Sequence, residues 1–202
     1  MNAELENLRR DIRMRVESDK MMSTAWLLIY LVPIIMIIVA TIAMLIVPEF
    51  LFSLPAIGIL SFIVSIVLIY KLVDRRNSHF KRQIFLMEDV IRVVLGKIAE
   101  QKKTSVETDL SLCERTLREA RAEETEKSAV LWAILSAIIF IASWYVYYFL
   151  MKDFYRHERR EDGFWEDVSK ILGKLGISVT PPRRVNPLPD RSFILYLILS
   201  IV

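Results

Sequence analysis

"AWLLIYLVPIIMIIVATIAMLIVPEFLFSLPAIGILSFIVSIVLIY", Ala25 to Tyr70, carries a single charge, Glu49, in 46 positions. A helix rises 1.5 Å per residue, so roughly 20 apolar residues cross a hydrocarbon core of about 30 Å. The run is long enough to cross twice. It divides at "VPEF" (Val47 to Phe50), where Pro48 removes an amide donor and Glu49 brings the charge. The stretch therefore reads as a tight transmembrane hairpin over residues 24–71.

Composition supports that reading. The chain is 54% hydrophobic yet 25% charged, a mixture that a single water-soluble core does not use unless the two properties are segregated along the sequence. They are segregated: Ser128 to Met151 forms another run without charge. A cleaved signal peptide is excluded for the first run, which is too long, is preceded by a highly charged segment of 24 residues and lacks a small-residue cleavage site. The expected fold is all-α, a polytopic integral membrane protein with three transmembrane helices.

Orientation follows from Lys and Arg near the spans. Five precede the first run, none lies in the hairpin turn, and thirteen fall from Lys71 to Lys127. This places the N-terminal segment 1–23 and the polar region 72–127 on the cytoplasmic side of a cell membrane. A single third span, 128–151, then puts residues 152–190 outside, where eight basic residues against seven acidic ones sit badly with the positive-inside rule. A re-entrant segment would restore the bias. "WAILSAIIFIASWYVYYFLM" (Trp132 to Met151) has no Gly or Pro at which to turn, however, and a turn facing lipid leaves backbone groups unpaired. One straight span is the expectation.

Region 72–127 carries heptad stripes. Phe80, Ile84, Met87, Ile91, Val94 and Ile98 alternate spacings of four and three, as do Val106, Leu110, Cys113, Leu117 and Ala120. Between them, Thr104 with Glu107 three residues on has the pattern of a capping box. An antiparallel helical hairpin is predicted, and a similar N-terminal stripe (Met1, Leu5, Leu8, Ile12) offers a third helix. Heptads alone do not say whether the stripes pair within one chain or between subunits. Beyond the third run, Trp165, Val168, Leu172 and Leu175 form an amphipathic stripe ended by Gly176, placed on the membrane surface. "TPPRRVNPLPD" (Thr180 to Asp190) reads as an extended linker, and 191–202 as an incomplete apolar segment cut off part-way through a fourth span.

One pattern occurs twice. "HFKRQIFLMEDV" (His79 to Val90) and "HERREDGFWEDV" (His157 to Val168) hold both histidines of the chain and share Arg82 with Arg160, Glu88 with Glu166, Asp89 with Asp167 and Val90 with Val168. A carboxylate precedes each histidine, Asp74 and Asp153, and such a pair can serve as a general base or metal ligand. No nucleophile, phosphate loop or metal-binding spacing accompanies them, and the three-span topology puts them on opposite faces of the bilayer. No catalytic, cofactor-binding or metal-binding residue is assigned, and no cofactor. The lone Cys113 excludes an intrachain disulfide.

"AILSAIIFIASWYVYYFLMKDFYRHERREDGF" and, less closely, "LIYKLVDRRNSHFKRQ" resemble the core of a family of uncharacterised prokaryotic, often archaeal, multi-span membrane proteins. The resemblance covers about residues 128–165 and implies a membrane protein without supplying catalytic residues. The expected role is a non-enzymatic structural or interaction component. Its partners would be membrane lipids and a protein or second copy met through the cytoplasmic helices, with no nucleic acid. The alternative is an oligomeric channel or transport accessory subunit.

Overall fold

A computed structural model describes residues 6, 10, 25–101, 106–177, 189–190 and 192–195. The described residues form helices and turns with no strand: α1 (Ala25–Met44), a 3-10 turn (Pro48–Ser53), α2 (Leu54–Gln101), α3 (Glu107–Glu123), α4 (Ala129–Ile138) and α5 (Phe140–Lys174). They divide into two compact units, one of residues 20–75 and 127–147, the other of 1–19, 76–126 and 148–202. Both α2 and α5 start in the first unit and end in the second.

The first unit turns its apolar side chains outward. Ile35, Ile38, Val39 and Ile42 of α1, Ile59 and Ile63 of α2, and Val130, Leu131 and Ile141 are all exposed. Large apolar surface facing outward on nearly every side of a helix is what lipid, and not water, rewards. Among the described residues one helical stretch, Leu51–Ala99, is long and apolar enough to cross a membrane, while Ile34–Met44 and Ala129–Ile138 are apolar but shorter. Pro48 stands at the start of the 3-10 turn, where its missing N–H costs nothing. Hydroxyls along these helices bond back to the preceding turn, Thr41 to the Ile37 carbonyl at 2.8 Å and Ser61 to that of Ile57 at 2.9 Å.

The run 128–151 departs from the expected straight span. It breaks at Ile139, whose backbone is extended (φ −118°, ψ 102°). The two arms, α4 and the start of α5, lie side by side, with the Trp132 and Tyr145 rings 5.2 Å apart. The turn needs neither Gly nor Pro because Ile139 keeps its bonds: its N–H donates to Leu135 O at 2.7 Å, and its carbonyl accepts from the Ala142 N–H at 2.8 Å. Ser128 caps α4, its hydroxyl accepting from the Leu131 N–H at 3.2 Å.

Among the described residues the second unit is a bundle of three helices. Its core joins Met87, Val90, Ile91 and Val94 of α2, Cys113, Leu117 and Ala120 of α3, and Phe164, Val168, Ile171 and Leu175 of α5 and the residue that follows it. Ile84, Ile98 and Leu110 pack on its edge. The heptad residues of 72–127 thus meet one another and α5 packs with them, while the N-terminal stripe falls outside the described residues. The helix leaving the apolar stretch is uninterrupted from Leu54 to Gln101, so no helix boundary lies near residue 71. The stripe ending at Leu175 is buried in this core and not on a membrane surface. The face is rotated from the expected one: Phe164 and Ile171 are fully buried, and Trp165 and Leu172 are partly covered. Gly176, at φ 79°, closes the helix: the Ile177 N–H reaches back to Leu172 O at 2.8 Å and the Gly176 N–H to Gly173 O at 3.0 Å. Thr104 falls outside the described residues. Helix α3 starts at Glu107 with Val106 in the N-cap place and no side-chain cap bond.

Cys113 is held inside this core, and burial first, then Asp167 and Asp109, pushes its thiol up to about 12. Only the thiolate reacts with alkylating reagents. Folded protein at about pH 8 should therefore react with a maleimide roughly a thousandfold more slowly than a free cysteine, and at the ordinary rate once denatured. Prompt labelling of the native chain, followed by mass spectrometry, would contradict this placement.

Candidate functional site: a buried charged layer in the bundle

The bundle is stratified. Its aliphatic core runs from Leu86 outward, whereas Arg76, Arg82, Gln83, Glu124, His157 and Glu158 are buried together at the end where α2 and α5 enter. Charges leave water at a cost of several kcal/mol each unless they are paired, so such a layer exists only where partners are built in.

Arg76 sits at its centre with no exposed surface. Its Nε donates to Asp153 Oδ2 at 2.9 Å and its Nη2 lies 2.8 Å from the same oxygen. Its Nη1 donates to Asn77 Oδ1 at 3.1 Å and to the Thr125 carbonyl at 2.7 Å, while its guanidinium carbon lies 4.5 Å from the Phe80 ring centroid. Burial pushes its pKa down, and Asp153 acts against that by favouring the charged form. Lysine could not replace this fork, because a single ammonium cannot reach a carboxylate, an amide and a carbonyl in one plane.

One consequence concerns topology. Thr125 precedes the segment 128–151 and Asp153 follows it, yet both meet Arg76. A segment that crossed about 30 Å of hydrocarbon once could not have both ends on one side chain. The two ends of the segment thus meet at one side chain, which the expected straight span does not provide for.

The histidines, expected on opposite faces, meet. Their ring centroids are 5.0 Å apart, edge to face, and His157 stacks on Phe80 at 4.4 Å. Four residues on, Gln83 donates to Glu161 Oε1 at 2.9 Å. Both pairs join a residue with its counterpart 78 positions later, so α2 and α5 run parallel in the register of the repeat. The two copies of the motif therefore pack side by side. Helix α3 runs against both: Arg121 pairs with Glu88 at 2.6 Å, Lys174 with Asp109, and Arg160 with Glu123 at the end of α3 and with Glu124 just beyond it.

Sequence reading found the histidines through the repeat but missed Arg76, Glu124 and the role of Asp153, which look like ordinary charges flanking an apolar run. Among the described residues no group of three or more His, Cys, Asp or Glu is placed to hold a metal ion. No family profile, curated protein or solved structure matches the chain.

Proposed function

We propose that the chain is an integral membrane protein of the cell membrane in which α1 and the first half of α2 cross the bilayer. In this reading segment 128–147 dips about half-way in and returns, leaving the N-terminus and the bundle together on the cytoplasmic side. Its role is non-enzymatic, that of a structural or interaction component whose binding element is the bundle. The observation that carries this is the contrast between the units: outward-facing apolar side chains in one, a closed aliphatic core with paired charges in the other. The hairpin arms suit half a bilayer, since the ten residues of α4 rise only about 15 Å.

With the bundle interior filled, recognition falls to its outer surface, where Phe85 and Leu95 are exposed on α2. A photo-reactive amino acid at position 85 should yield a discrete cross-linked species in intact cells, and Leu95→Glu should abolish it. Unaltered mobility in both would sink the interaction role.

The returning hairpin also favours a second reading, an oligomeric channel or transport accessory, because half-membrane segments line pores in such proteins. Its tip argues against that. Ile138, Ile139 and Ile141 are exposed and apolar, with nothing to replace an ion's hydration shell. Ion flux through reconstituted vesicles, lost on Ile139→Asp, would establish the second reading over the first.

A further inference from the structure

Asp190, at the end of the Pro-rich stretch, pairs with Lys152 of α5, and the Phe193 ring meets that of Tyr148 edge-on at 5.2 Å. The two contacts fix a direction. From Asp190 to Phe193 the chain passes from Lys152 to Tyr148, about one turn back along α5, so it runs against that helix and toward its apolar start. A helix begins at the same place. Residues 193–195 are helical, and the Ser192 hydroxyl accepts from the Leu195 N–H at 3.4 Å, the bond of an N-cap.

One face of α5 shows the level at which these contacts lie. Ile141, Tyr145, Tyr148, Lys152, Arg156 and Arg159 follow one another along it, changing from aliphatic to aromatic to basic. Tyrosine favours the headgroup level of a bilayer and Lys and Arg the water beside it, so Tyr148 and Lys152 mark the boundary. From there the segment leads away from the charges. Ile194 and Leu195 are 68% and 55% exposed, and "FILYLILSIV" (Phe193 to Val202) carries no charged side chain. As a helix those residues rise about 15 Å, about half a hydrocarbon core.

We propose that residues 192–202 are a membrane anchor. On the membrane reading given above, on which this inference rests, the segment enters hydrocarbon from the side of the bilayer that carries the bundle, and Asp190 and Phe193 hold its point of entry on α5. Its partner is the acyl chain of lipid, because aliphatic side chains exposed from the first turn gain by leaving water. A segment heading the other way along α5 would meet Arg156 and Arg159 instead.

The test uses the full chain in lipid vesicles, with a nitrobenzoxadiazole fluorophore on Leu195→Cys, on Ile198→Cys or, as a control in α1, on Ile38→Cys, which is exposed there. Cys113, buried with its thiol pushed up to about 12, stays unlabelled. Lipids brominated on their acyl chains should remove most of the fluorescence at all three positions, and aqueous iodide little of it. Bromolipid quenching at position 38, with 195 and 198 open to iodide, overturns the anchor and leaves the membrane reading standing. Iodide quenching at all three positions overturns both. The wild-type protein supplies a second measurement that no variant can disturb. A carbodiimide condenses an amine with a carboxylate in contact with it, forming an amide with loss of water. Mass spectrometry should find Lys152 joined to Asp190 alongside Lys170 joined to Glu166, an exposed pair 3.0 Å apart that reports on the reaction itself. The second link without the first overturns the point of entry.

Discussion

Arg76→Met should destabilise the bundle by about 3–5 kcal/mol, the range for removing one partner from a buried ion pair. Asp153, largely covered, would lose its cation, and the Thr125 carbonyl would lose the donor that fixes the start of the hairpin. In detergent the melting temperature followed by far-ultraviolet circular dichroism should fall by on the order of 10 °C. Arg76→Met combined with Asp153→Leu should recover a large part of the loss, because two apolar groups replace two charges instead of stranding one. The Thr125 carbonyl would keep that recovery incomplete. A fall of about 1 °C in the single variant would mean that Arg76 is a solvated surface charge and that its contacts contribute little.

The second large effect belongs to Phe164. Its ring is fully buried in the aliphatic core, so Phe164→Ala should cost about 3–5 kcal/mol through lost burial and the cavity left behind. Phe85→Ala is the control. That ring is 45% exposed, and its loss should cost about 1 kcal/mol. Comparable melting of the two variants would mean that α5 is not a bundle helix and that the core ends with α2 and α3.

These two variants test the parts of the fold that the sequence displayed least plainly. The stripes from Phe80 to Ile98 and from Val106 to Ala120 were legible because a 3.5-residue repeat of apolar side chains has few other uses in a charged segment. The matching stripe in α5 was harder to read. Its buried face begins with His157 and Glu161, so the polar layer interrupts the heptad where it would otherwise have become visible. The stripe through Trp165 and Leu172 lies at the edge of the buried face, which Phe164 and Ile171 form.

The turn at Ile139 gave no residue-level signal. Helix breaks are recognised from Gly and Pro, and this one is made by a β-branched residue in extended backbone that keeps both its hydrogen bonds. The signal lay elsewhere, in a repeat whose two copies pack side by side in matching register. Arg76 illustrates the complementary blind spot. A cation at the end of an apolar run ordinarily snorkels into water, and nothing local distinguishes it from one buried against Asp153 and Thr125.

The claim on which the account turns is that segment 128–151 returns to the side it left. Single cysteines at Glu126→Cys and Arg156→Cys, both exposed positions, can be probed with a membrane-impermeant maleimide in sealed vesicles of known orientation, Cys113 staying silent in the core. The account predicts that both label from the same face, and that Glu49→Cys, in the turn between α1 and α2, labels from the other. Labelling of positions 126 and 156 from opposite faces would contradict it.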